Sequence, residues 1–355
     1  DVSQVIAAIN WVIQHKNDNG LNIRVINLSY GTNSAQDATV DPLAYVAEQA
    51  WKKGIVVVAA GGNNGFQSQM SNAPALSNPA VDRYVLAVGS TDSQGTVAYA
   101  DDTVPAFSPW PKRGATRSVD MVAPGAHLQG LRVLNGFLDV NHPEGVINSR
   151  YFRGSGTSQS AAIVSGAAAL VLQRYPTASP DQVKKLLTST GYPINSKAQA
   201  IGGGELQLGK ALLSALPSNS QTWPSSTGTG TLDGARGSDR LTDDGVVLAG
   251  EQDIFGQPFD SAAMAAATAA GSTWSGGTWN GSTWSGASWA GASWAGASWA
   301  GASWAGASWA GNTWSGNTWS GNTWSGSTWS GTSWSGNSWS GATWAGGAWQ
   351  GATWG

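Results

Sequence analysis

The run Ile55-Val56-Val57-Val58-Ala59-Ala60 is apolar without a break and stops at Gly61-Gly62. Successive side chains of a strand point to opposite faces, so such a run suits a strand covered on both sides. Tyr84 to Gly89 is a second run of the same kind. From Asp1 to about Asp18, Val2, Val5, Ile6, Ile9, Val12 and Ile13 recur at helical spacing, and Asn19-Gly20 supplies a stop. Ile23 to Ser29 reads as a short buried strand. Asp41-Pro42 then opens a second helix, with Asp41 as N-cap, and Lys52, Lys53 and Gly54 close it. Helices alternating with nearly all-apolar strands predict an α/β fold, a parallel sheet with helices on both faces.

Past the glycine turn Gly154 to Gly156, Ser158 to Tyr175 predicts a helix rich in small residues (Ala161, Ala162, Gly166, Ala167, Ala168, Ala169). Side chains this small allow close packing and place the helix centrally. Ser179-Pro180-Asp181-Gln182 has the form of a capping box and launches a helix ending at Gly191. Core patterning stops near Leu216, which sets a first domain at 1–216. Residues 217–270 mix Ser, Thr and Gly with two short apolar stretches, Val246 to Leu248 and Ile254-Phe255, and read as a linker with one or two hairpins. Residues 271–355 are seventeen consecutive pentapeptides, each with one Trp from Trp274 to Trp354, and carry no charge.

Lys and Arg total 18 against 21 Asp and Glu, so a net charge of -3 gives no electrostatic reason to expect nucleic acid or an anionic membrane as partner. A neutral partner, peptide or glycan, fits better. With no Cys, a disulfide framework and a thiol nucleophile are both excluded. No apolar run reaches the length of a membrane span. The start at Asp1, without a leader, reads as a cut end.

Three short sequences carry chemistry: Asn27-Leu28-Ser29-Tyr30-Gly31, Ala59-Ala60-Gly61-Gly62-Asn63-Asn64-Gly65, and Gly154-Ser155-Gly156-Thr157-Ser158. Ser158 opens a predicted helix, so its hydroxyl sits at the positive end of the dipole beside backbone N–H groups able to meet a developing oxyanion. That setting suits acyl transfer. Asn63 follows a buried strand directly, in a turn whose glycines allow close approach, so its amide can extend into the same cleft as a second donor.

In this order and context the three segments resemble the subtilisin-like serine peptidases over roughly residues 1 to 215, and Val119 to Gly125 resembles the family's stretch ahead of the nucleophile. The resemblance implies a secreted, extracellular endopeptidase acting on protein or peptide through an acyl-enzyme, with Ser158 as nucleophile and Asn63 as oxyanion donor. It implies that Ser29, Tyr30 and Gly31 pair with the substrate backbone. It also implies that Ala59, Ala60, Gly61 and Gly62 shape the pocket for the side chain before the scissile bond. Gln159-Ser160-Ala161-Ala162 departs from the family's usual Met-Ala and following Pro.

The family orders its triad Asp, His, Ser, and only the Ser is here. His15 near the end of the first helix, His127 after a Pro-Gly turn and His142 before Pro143 fit solvated or structural roles. No Asp-Ser-Gly or Asp-Thr-Gly accompanies them. Two readings follow: a fragment whose catalytic Asp and His lie upstream, inactive as it stands, or a family fold kept as a non-catalytic structural or binding protein. Retention of both Asn63 and Ser158 favours the fragment. Calcium is allowed by the resemblance, but no acidic loop has fitting ligand spacing, and Asp101-Asp102 and Asp243-Asp244 read as solvated turns, so no metal ligand is assigned.

A five-residue period fits neither a helix face nor one side of a strand. With one pentapeptide per side, a four-sided β-helix would stack equivalent residues at strand spacing, resembling pentapeptide-repeat proteins. The alternatives are a flexible tail displaying indole rings toward glycan or cell-wall polymers, or toward other copies of itself, and a repeat expansion without a ligand.

Overall fold

The computed structural model describes residues 1–66, 75–111, 115, 117–243, 246–253 and 258–271, with the backbone of short strands between 288 and 354. In chain order the elements are α1 (Val2–His15), β1 (Val25–Leu28), α2 (Pro42–Lys52), β2 (Val56–Ala60), β3 (Leu86–Thr91), β4 (Met121–Pro124), β5 (Leu128–Leu131), α3 (Phe137–Asn141), β6 (Tyr151–Gly154), α4 (Thr157–Arg174), α5 (Pro180–Thr190), α6 (Ala198–Ile201), α7 (Leu208–Leu213), α8 (Leu232–Arg236), β7 (Thr242–Asp243), β8 (Val246–Val247) and α9 (Ser261–Ala269).

Strands β1 to β4 form a parallel sheet in sequence order. Every residue of β2 and β3 is buried, so both faces are covered, as their unbroken apolar runs require. Caps place the helices where the sequence puts them. Asp41 Oδ1 accepts the Leu43 and Ala44 N–H groups at 2.9 and 3.0 Å, and Ser179 with Gln182 closes the capping box of α5.

Helix α4 packs across all four strands. It is central on one side only. Val164, Ala167, Ala168 and Val171 are buried, while Ala162, Ile163, Gly166, Ala169 and Leu170 form an exposed stripe at helical spacing. Edge strand β1 is likewise half-covered, with Asn27 exposed.

The stretch read as a linker is built into the globular unit, which spans Asp1–Ile254 and Phe259–Trp274. It holds α8, α9 and one hairpin, β7 with β8; Ile254-Phe255 lies outside the described residues. Its anchor is Arg236, whose side chain is 0% exposed. Nε and Nη2 donate to the Asp1 carboxylate at 2.7 and 3.0 Å, and other N–H groups donate to Gly250 O and Gln252 O. Tyr45 donates to Ala265 O at 2.9 Å and holds α9.

Asp102 also departs from expectation. It is 7% exposed, not a solvated turn, whereas Asp101 is exposed; Asp244 lies outside the described residues. Asp102 Oδ1 and Glu205 Oε2 are buried, and neither meets a hydrogen-bond donor. Burial first, then the Asp102 carboxyl, pushes Glu205 up to about 8, against the pull of the Thr91 hydroxyl. Thr91 Oγ1 donates to Glu205 Oε1 at 2.6 Å. The Thr91 carbonyl accepts the Gly125 N–H at 2.9 Å, and Gly125 O accepts the Gly156 N–H at 2.7 Å. The acid pair thus underlies the turn ahead of Ser158. Among the described residues no group of three or more acidic or His side chains is placed to hold a metal. Two free carboxyl oxygens fall short of a calcium shell, so no step is assigned to that ion.

The second unit, Phe255–Pro258 with Ser275–Gly355, contains short parallel strands. Ser293–Ala295 pairs with Thr313–Ser315, which pairs with Ser333–Ser335, a register of twenty residues at each step. Three further sheets repeat that register. Residues 272–287 of the repeat lie outside the described residues.

Arg236→Ala leaves the Asp1 carboxylate buried without its partner. It is expected to cost about 3–5 kcal/mol, read as a lowered thermal midpoint, while Arg236→Met costs less. For Glu205, the folded state keeps a proton that the unfolded chain loses above its ordinary value of 4.5. The stability this group supplies is therefore full below that value and is lost as pH rises to about 8. Glu205→Gln keeps an acceptor for Thr91 and a donor for Asp102. It should exceed the native protein in stability by about 1–3 kcal/mol at pH 9, the gap closing toward pH 5 in urea titrations. An offset independent of pH would contradict the proton held by folded Glu205.

Candidate active site

The turn after β2 and the first turn of α4 meet through Thr157, which is buried. Its N–H donates to Asn63 Oδ1 at 2.9 Å and its hydroxyl donates to the same oxygen at 3.1 Å. The Gly62 N–H donates to Thr157 Oγ1 at 3.1 Å. Gly156 gives α4 no side-chain cap, so Asn63 caps it from another segment. With Oδ1 committed to Thr157, the Asn63 Nδ2 is the part of the amide left to donate elsewhere.

Ser158 follows in the first turn, where backbone N–H groups have no acceptor within the helix. Its Oγ lies 3.4 Å from Ser29 O, and Ser29 Oγ donates to Ser158 O at 2.8 Å. This reciprocal contact ties the end of β1 to the helix start. Ser160, two residues on, is buried and bonds Ser90 Oγ at 2.8 Å and Ala123 O at 2.9 Å, clamping α4 over β3 and β4. Gln159 tucks its amide beneath the glycine turn, close to Gly154 and Gly156.

Ser158 and Asn63 open onto one cleft of about 350 Å³. Ser29, Tyr30, Gly31, Ala60 and Gly62 line it. Ala59 and Gly61, predicted as wall residues, do not line it, and both are buried. Two glycines are sterically required. A Cβ at Gly31 would lie 2.7 Å from Ser77 Cβ, and Gly62 has φ +105°.

Sequence reasoning passed over Asn33, Asn64, Ser77, Thr157 and Asp239, which also line the cleft. Asn64 and Thr157 stand inside motifs already singled out, so their neighbours were a usable signal. Asp239 had none, because it arrives from the stretch read as a linker. Burial, then the Asp239 charge, pushes Tyr30 up to about 12.

None of the three histidines lines the cleft. His15 Nδ1 meets Asp18 at 2.6 Å, His127 Nδ1 meets Asp92 at 3.1 Å, and His142 Nδ1 meets Glu144 at 3.1 Å. The cleft therefore unites a hydroxyl at a helix start with an amide donor, groups of the kind that can attack a carbonyl and hold the resulting oxyanion, and among the described residues no His lines it.

Comparison with known proteins gives a family to this geometry. Serine protease AprX of Bacillus subtilis (strain 168) is 36% identical over 193 residues, covering 52% of this chain and 42% of that protein. Subtilisin DY of Bacillus licheniformis is 32% identical over 188 residues, covering 53% of this chain and 54% of that protein. The chain thus spans about half the length of the curated relatives it matches. Among solved structures, fervidolysin from Fervidobacterium pennivorans, a keratinolytic enzyme related to subtilisin, is 28% identical and covers 61% of this chain and 30% of that one, with a TM-score of 0.45. The model of the Subtilase family matches residues 1–230, more than half of the chain and all of the cleft except Asp239, and the chain belongs to that family.

Proposed function

We propose that this chain is the nucleophile-bearing part of an extracellular serine endopeptidase that cleaves protein or peptide substrates. The observation that carries the reading is the joining of Asn63 and Ser158 at one cleft through Thr157. Ser158 Oγ attacks the peptide carbonyl carbon as its proton passes to a histidine base. The carbonyl oxygen takes up the electron pair and is held by Asn63 Nδ2 and the Ser158 N–H. Collapse expels the amine with the proton, and water then hydrolyses the Ser158 ester by the same route.

The base and its orienting aspartate come from residues beyond this stretch. The half-covered strand β1 and the apolar stripe of Ala162, Ile163, Gly166, Ala169 and Leu170 support that reading, since a helix apolar on both sides calls for cover on both. Alone, the chain lacks an activated nucleophile.

In the complete peptidase, Ser158→Ala is expected to lower kcat by about 10⁶, the loss known for the nucleophile of subtilisin itself. Asn63→Ala should lower it by roughly 10²–10³, again the value for subtilisin's equivalent donor, with KM little changed. Steady-state hydrolysis of peptide substrates measures both. A Ser158→Ala variant retaining full turnover would refute the assignment.

For residues 271–355 we propose a four-sided β-helix serving as an adhesion or assembly module, in contact with cell-wall glycan or with other copies of the chain. The twenty-residue register supports it, four pentapeptides to a coil, with Trp294, Trp314, Trp334 and Trp354 at equivalent positions. Deleting 271–355 should abolish retention on insoluble glycan or dissolve self-association, measured by pull-down and sedimentation, and leave the thermal midpoint of the first unit in place. Retention and mass both unaffected would rule the module out.

A further inference from the structure

Asp239 stands beyond the part of the chain that matches the family, yet it lines the cleft that Ser158 and Asn63 open onto. Four bonds fix the segment that brings it there. Besides the Arg236–Asp1 contact, Thr32 Oγ1 donates to Ala235 O at 2.6 Å and Ser34 Oγ donates to Gly234 O at 2.7 Å. Gly237, with φ +59°, then turns the chain toward the cleft.

The carboxylate is oriented as well as delivered. The Asn33 backbone N–H donates to Asp239 Oδ2, and Asn33 Nδ2 donates to Oδ1 at 3.3 Å. Asn33 is held in turn by Asn64, whose Nδ2 donates to Asn33 Oδ1 at 2.6 Å. The neighbouring cations are committed elsewhere, Arg236 to Asp1 and Arg240 to Asp233 at 2.5 Å. Among the described residues no Lys, Arg or His lines the cleft, so Asp239 is its one formal charge.

Beyond Ser158 the lining is mostly polar: Asn33, Asn64, Ser77 and Asp239. An apolar side chain entering here would strip water from these groups and return no hydrogen bond. An ammonium or guanidinium supplies donors to a carboxylate already aimed, and a charge-assisted bond is the stronger kind. A substrate residue whose carbonyl carbon lies at Ser158 Oγ has its own side chain beside this same cleft.

We propose that Asp239 is a specificity-determining residue, and that the cleft selects Lys or Arg as the residue whose carbonyl Ser158 attacks. The assignment rests on the peptidase reading and adds its substrate class. It also gives the segment around Asp239 a task, delivering one residue of the substrate site from outside the family-matched region.

Two measurements separate the assignment from the reading beneath it. The first uses the chain as it stands and needs no catalysis. Titration with p-aminobenzamidine, followed by its fluorescence, should give saturable binding whose Kd rises at least tenfold in Asp239→Asn. Asp239→Glu, which keeps the charge, should restore most of it. The isosteric Asn keeps one acceptor oxygen for the Asn33 backbone N–H, and an unchanged thermal midpoint verifies the fold.

The second uses the complete peptidase with peptides differing only in Arg, Lys or Leu before the scissile bond. The native enzyme should favour Arg and Lys in kcat/KM, and Asp239→Asn should reduce the Arg-to-Leu ratio at least tenfold. Hydrolysis without that preference, or a ratio that Asp239→Asn leaves in place, overturns the role of Asp239 while the peptidase reading stands. Binding of p-aminobenzamidine lost in Asp239→Asn, with no peptide hydrolysed by the complete protein, overturns the peptidase reading and leaves a cation subsite.

Discussion

The bond from the Thr157 N–H to Asn63 Oδ1 joins the two halves of the chemistry. It caps a helix from outside and, by engaging the oxygen of the amide, fixes which atom remains to donate. In the proposed role of Asn63 as oxyanion donor, being in place before charge develops makes this orientation worth more than the bond's own stability. Everything around it serves the same junction. Gly62 bends at positive φ beside the Thr157 hydroxyl, Ser160 fastens α4 to the sheet, and the line from Glu205 through Thr91 and Gly125 reaches the Gly156 N–H from below.

The sheet explains why these pieces meet at one place. In a parallel sheet covered by helices, functional groups gather at the carboxyl ends of the strands, and here the ends of β1 and β2 deliver Ser29 to Gly31 and Gly62-Asn63 side by side. The same sheet carries unfinished surfaces. Strand β1 is half-covered and α4 turns Ile163 and Leu170 outward. In the proposed peptidase, one physical feature would supply both the base and this cover, further chain packed against these surfaces.

Much of this was legible in local sequence because local physics decided it. The unbroken Ile55 to Ala60 run, the Asp41-Pro42 start, the Ser179 capping box and the glycine turn before Ser158 each specify their own conformation within a few residues. What escaped was settled by contacts between residues more than a hundred apart in the chain. Arg236 in a polar stretch looks like a surface residue until its partner Asp1 is beside it, and Asp102 looks solvated although the fold buries it. Asp239 reaches Asn33 across 206 positions, and no local pattern announces such a contact. Helix α4 misled in the opposite direction, since small residues on all sides imply close neighbours without saying whether those neighbours belong to the same stretch of chain.

The account turns on whether Ser158 becomes a nucleophile when the rest of the peptidase is present. Treating the complete protein with a serine-directed aryl phosphonate and mapping the adduct by peptide mass spectrometry tests that directly. The account predicts a single modified peptide carrying the group on Ser158, with labelling abolished in Ser158→Ala. A complete protein containing the upstream Asp and His that stays unlabelled, or is labelled elsewhere, would contradict it.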